Sequence, residues 1–171
     1  MYKIRDLRNL DVNLYYLIDS GLKLNGNTVL SGFSQPYTIS GVYLIDGGLE
    51  PDNKLRLPAV AIEHERTTDF PFQLGLGRQD TRTFRIEIYA RSDGERDDLG
   101  EMIKNYFYST KPIYDYNEYF QNGTYVVLGN MDFENISMYP SRLEEFKATR
   151  HRMNITLDCN YYISSGASLI S

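Results

Sequence analysis

Two stretches of strict alternation limit the fold of this chain more than any other feature. From Thr83 to Arg91, Phe84, Ile86, Ile88 and Ala90 fall on one side, and Arg85, Glu87 and Tyr89 on the other. Further on, Met153, Ile155, Leu157, Cys159, Tyr161 and Ile163 alternate with Arg152, Asn154, Thr156, Asp158, Asn160 and Tyr162. Side chains of an extended strand point alternately to opposite faces, so a period of two predicts a strand. Each stretch is expected to carry one dry face and one polar face.

Helical signals flank the first stretch. Ser92-Asp-Gly-Glu95 follows it directly and reads as a capping box: the Ser oxygen accepts from the Glu95 N–H, and the Glu reaches back. Leu99, Met102, Ile103, Tyr106 and Phe107 then form a helical stripe, with Pro112 expected to end it. Near the start, Ile4, Leu7, Leu10, Leu14, Leu17, Ile18 and Leu22 follow a helical period, predicting a helix over 3–20 with Gly21 as its stop. Strands are expected at 28–30, 37–45 and from Pro58 to His64, with a polar loop over 46–57. A long irregular segment is expected from Glu65 to Thr81. After Pro112, residues 114–121 are expected to be irregular, 124–128 and 132–139 to be strands, and 140–147 a turn or one helical turn. Residues 164–171 read as a frayed tail. The resulting fold class is α+β: a mostly antiparallel sheet with two principal helices packed on one face, in a single domain spanning 1–171.

Composition narrows the function. The net charge of −5, with no basic run, argues against a protein that grips nucleic acid, because phosphate neutralisation drives such binding. The 15 Tyr and 8 Phe, without Trp, suit half-wet surfaces such as subunit contacts. Cys159 is the only cysteine and alternates with apolar neighbours, so it reads as a small buried hydrophobe. No apolar stretch reaches the roughly 18 residues of a membrane span, and Met1-Tyr-Lys-Ile-Arg lacks the apolar core of a signal peptide. Synthesis in a cytoplasm, without membrane association, is the expectation.

The candidate chemistry is sparse. Glu63-His64-Glu65-Arg66 invites a metal reading, but on a strand Glu63 and Glu65 point away from His64, and Thr68 stands where a zinc helix needs its second His. Gly75-Leu-Gly77 lacks the third Gly of a dinucleotide loop and precedes a strand. His64 and His151 lie in no nucleophile context, and the pairs Asp97-Asp98 and Glu144-Glu145 read as solvated charges. The run Tyr114-Asp-Tyr-Asn-Glu-Tyr-Phe120 could stack bases or sugars, though its acids would repel phosphate; packing within the protein is the plainer reading. No catalytic, cofactor-binding or metal-binding residue is expected, no cofactor is expected, and the chain is not expected to be an enzyme.

Leu57-Pro-Ala-Val-Ala-Ile, the segment after it, and Thr83-Phe-Arg-Ile-Glu-Ile-Tyr-Ala-Arg-Ser-Asp-Gly-Glu-Arg-Asp-Asp-Leu-Gly-Glu-Met-Ile together resemble the tail-terminator and minor tail proteins of long-tailed bacteriophages. The likeness covers the order of elements over about 1–110 and residue character over 57–107; section 112–149 does not align. The resemblance implies a virion protein of the neck: a ring, six copies in the expected form, that caps the tail tube and joins it to the head. Its implied partners are sister copies, the tail tube protein and a head-completion or connector protein. DNA would pass through without specific binding. The final strand's polar face and the 64–82 segment are the expected contact surfaces. The alternatives are a head-completion or tail-tube subunit and, further off, a small hydrolase or a carbohydrate-binding module.

Overall fold

The computed structural model describes residues 6–26, 41–44, 57–69, 77–141 and 151–164. In chain order the elements are α1 (Asp6–Gly26), β1 (Gly41–Leu44), β2 (Ala59–Asp69), β3 (Gly77–Ala90), α2 (Asp93–Asn105), β4 (Lys111–Tyr114), α3 (Tyr116–Asn122), β5 (Val127–Ser141) and β6 (His151–Ser164). Among the described residues the strands form one sheet in the order β1-β2-β3-β6-β5-β4. Five strands are antiparallel neighbours, and β1 lies parallel to β2 at one edge. The fold is α+β, dominated by this sheet.

Hydrophobic periodicity accounts for the helix-covered face. Leu10, Leu14, Ile18 and Leu22 of α1, with Leu99 and Ile103 of α2, pack into one core with Val60, Ile62, Phe84, Ile86, Ile88, Met153, Ile155 and Leu157. Burying each such side chain stabilises the fold by roughly 1.5–3 kcal/mol. Cys159 belongs to the same core, and burial pushes its thiol up to about 12.

Several boundaries differ from expectation. Helix α1 runs through Gly21 to Gly26; Gly21 is a point of close approach, since a Cβ there would sit 2.6 Å from the Tyr106 ring. Ser92 caps α2 as expected, accepting from the Glu95 N–H at 3.2 Å, while Glu95 reaches back to the Arg91 N–H at 2.7 Å. Helix α2 ends at Asn105, well before Pro112, which lies in the edge strand β4, where a missing N–H is tolerated. Residues 116–122, expected to be irregular, form α3. Asp115 caps it by accepting from the Asn117 and Glu118 N–H groups, and Gly123 closes it at φ 70°. The two strands expected at 124–128 and 132–139 are one strand, β5, interrupted by an irregularity between Glu134 and Ser137, where Asn135 has φ 51°. The largest change concerns 65–81: β2 continues to Asp69 and β3 starts at Gly77, paired Thr67↔Arg82, Thr68↔Thr81 and Asp69↔Asp80. The expectations for 1–5, 28–40, 45–56, 142–150 and 165–171 lie outside the described residues.

Candidate functional site

The reverse face of β3 is where the structure departs furthest from a simple half-wet strand. Arg85, Glu87 and Tyr89 make its polar face, yet Glu87 is 2 % exposed and Tyr89 is 1 % exposed. The Tyr89 hydroxyl donates to the Glu87 carboxylate, and the Arg152 guanidinium pairs with the same carboxylate. Arg85 is shared: it donates to Glu63 and lies 3.3 Å from Glu65 and 3.4 Å from Glu87. Arg152 also sits over the Tyr89 ring, 5.4 Å from its centroid. Burial, reinforced by the Glu87 carboxylate, raises the Tyr89 pKa above the ordinary phenol value.

This network contains three carboxylates and two guanidiniums, drawn from β2, β3 and β6. Each acid faces a guanidinium, so the arrangement is suited to holding register. Asn154 Oδ1, buried beside it on β6, has no hydrogen-bond partner among the described residues. Glu65 joins Glu63 at Arg85, while His64 lies edge-on to Phe84 on the helix side; the register shifts between His64 and Arg66. Glu63 and Glu65 therefore share a face that His64 does not, as alternation predicts. Among the described residues, no group of three or more His, Cys, Asp or Glu is placed to hold a metal ion.

The two expected contact surfaces both lie on the sheet. The final strand, β6, lies in the middle of the sheet, between β3 and β5. Its Asp158 accepts from the Thr83 hydroxyl at 2.6 Å and the Asn135 amide at 2.9 Å; these bonds hold its pKa below the usual carboxylate range. The 64–82 segment is mostly paired strand; of it, only 70–76 lies outside the described residues. Gly75 is in that interval, and Gly77 opens β3. Of the remaining candidates, His151 meets Asp93 at 3.0 Å, and Asp97 pairs with Arg96 at 2.8 Å. Glu144 and Glu145 are outside the described residues.

The tyrosine-rich section gathers at the opposite edge of the sheet. Tyr116 stacks on Tyr16 of α1 at 4.7 Å, and Tyr119 stacks on Tyr125 at 4.3 Å. The 114–120 run therefore packs within the protein, as its plainer reading predicts. Beside it is a groove of about 470 Å³, lined by Tyr16, Leu17, Tyr106, Pro112, Tyr114 and Tyr125 among others. Here Phe120, Tyr125, Val126 and Val127 are 49 %, 54 %, 41 % and 56 % exposed, an apolar rim at this end of the sheet. Sequence reasoning missed two residues here. Asn9 and Asn13 of α1 are each 3 % exposed and grip the backbone of Tyr114. The signal was available: two Asn four residues apart beside a leucine stripe, in a helix interior that Asn disfavours.

No protein-family model matches the chain, and a search of curated proteins finds no match to it.

Proposed function

We propose that this chain is a structural subunit that assembles with copies of itself, and that its assembly is the ring of a phage tail terminator, which caps the tail tube and joins it to the head. The supporting observation is the exposed apolar rim of Phe120, Tyr125, Val126 and Val127. Contiguous exposed apolar surface marks protein contact sites, and leaving these side chains in water is otherwise unfavourable. A closed ring needs two different surfaces that meet head to tail and return on themselves. The rim offers one. The β2–β3 ribbon, at the other side of the sheet, is proposed as its complement. The sequence resemblance supplies the phage setting, the six-fold count, and the tail tube and connector as partners. The acidic balance fits a passage along which DNA slides without being held.

The test is sedimentation of the purified chain with negative-stain imaging. Closed rings of one size are expected. Val127→Glu combined with Tyr125→Ser should leave folded subunits that no longer close. A chain that stays monomeric at every concentration sinks the reading. In a phage deleted for this protein, tails of uncontrolled length without heads are expected.

A second reading has one observation behind it. The tyrosine-lined groove is of a size and apolar character that small ligands use, so a saccharide-binding module is the alternative. Saccharide binding by an isolated monomer would favour it over the ring.

A further inference from the structure

Strand β4 ends the sheet, and an edge strand normally presents unpaired N–H and C=O groups that can accept a strand from another molecule. Here that edge has been closed from within. Asp115 N–H turns inward to Val126 C=O at 2.8 Å, so the alternating outward positions of β4 are 112 and 114. Pro112 has no N–H. The Tyr114 N–H donates to Asn13 Oδ1 at 2.8 Å, and the Tyr114 C=O accepts from Asn9 Nδ2 at 2.8 Å and Asn13 Nδ2 at 2.9 Å. The Tyr116 N–H donates to Asn9 Oδ1 at 3.1 Å. Asn13 Nδ2 also donates to the Asn9 backbone C=O at 2.8 Å, which fixes the Asn13 amide against α1. One turn of α1 thus occupies both backbone groups of Tyr114, the outward residue at the end of β4 where an incoming strand would pair.

We propose that the Asn9–Asn13 clamp, completed by Pro112, is an assembly guard: it prevents a second copy of this chain from adding a strand to β4, and so excludes sheet-continuing filaments. A helix packed on an edge needs only apolar contacts to stay there. Two buried Asn, each costly in a helix interior unless satisfied, spend three hydrogen bonds on the backbone of this edge and a fourth on the first amide of α3. The inference does not depend on ring formation. It concerns only the edge through which the chain does not assemble.

The experiment compares the full-length chain with the Asn9→Ala/Asn13→Ala double variant by sedimentation, imaging and thioflavin fluorescence. The double variant is expected to retain its sheet by circular dichroism and to grow into filaments with increasing concentration, while the wild type does not. A folded double variant of wild-type size overturns the guard and leaves the clamp as a docking contact for α1. Should the double variant fail to fold, hydrogen exchange on the wild type decides: the Tyr114 amide should exchange on the order of a hundredfold more slowly than an open edge amide. Exchange at the open-edge rate overturns the proposal. Pro112→Val restores one donor while leaving the clamp, and should not polymerise alone; filaments from that single variant would show that Pro112 alone bars growth and overturn the clamp's role. The two readings remain separable. Rings from both wild type and double variant sink the guard alone, whereas a monomeric wild type with a filamentous double variant sinks the ring alone.

Discussion

On the helix side of β3, Phe84, Ile86 and Ile88 meet other hydrocarbon side chains; on the reverse side, Arg85, Glu87 and Tyr89 meet one another, Glu63 and Arg152. Both sides of the same strand are largely withdrawn from water. The first is held by burial that is proportional to area and indifferent to direction. The second is held by directional, charge-assisted contacts that cost several kcal/mol per ion to desolvate and regain it only when every partner is in place. The difference teaches a division of labour. The apolar face supplies stability, and the polar face specifies which strands sit beside β3 and in what register.

Four measurements would break or sharpen that contrast. The largest effect is expected from Ile88→Asp, which places an unpaired carboxylate among hydrocarbon and removes a fully buried side chain. A loss of about 5 kcal/mol or more is expected in denaturant unfolding. Unchanged stability would mean the dry face is assigned wrongly. Next, Glu87→Ala should cost about 3–5 kcal/mol by stranding Arg152 and the Tyr89 hydroxyl. A change below about 0.5 kcal/mol, typical of surface sites, would show the network to be solvated. Third, Glu87→Leu with Arg152→Met removes both charges together and should recover at least half of that loss, because the two changes are strongly coupled. Strict additivity would contradict the pairing.

The smallest effect is that of acid. Burial pushes Glu95 up, but its bonds from the Arg91 side chain and N–H more than offset this, leaving it below its ordinary value. Asp158 is lowered by the Thr83 hydroxyl and the Asn135 amide. Both folded-state values lie below the unfolded ones, so their stabilisation is present above the ordinary values of 4.5 and 3.8 and is lost as pH falls through the folded values. The melting temperature should therefore decline gradually below that range. A melting temperature that is flat or rises on acidification would contradict the assignment.

Legibility in the sequence followed the presence of a hydrophobic period. The alternations at 84–90 and 153–163 and the stripe of α2 were readable because each has an apolar face that repeats. Residues 65–69 and 77–82 have none: Thr67, Thr68 and Thr81 favour strands, but no dry face marks them. Helix α3 is too short to show a stripe, although Asp115 and Gly123 bracket it with cap and stop. The burial of the polar face of β3 was not legible, because Glu and Arg are almost never buried unless paired, and the pairing runs between residues 65 positions apart. The tyrosine edge was legible as aromatic and half-wet. Its hydrogen-bonded seal was not, since Asn9 and Tyr114 are 105 positions apart.

The sequence by itself determined the periodicities: which stretches extend or coil, where α2 starts, and which side chains form the core. Those follow from local stereochemistry and from the free energy of removing hydrocarbon from water, both properties of neighbouring residues. Tertiary structure alone decided that the last strand lies in the middle of the sheet, that Glu87 is buried, and that the edge at β4 is closed. A charge or a backbone amide can leave water only if a partner meets it, and here the partners come from distant parts of the chain.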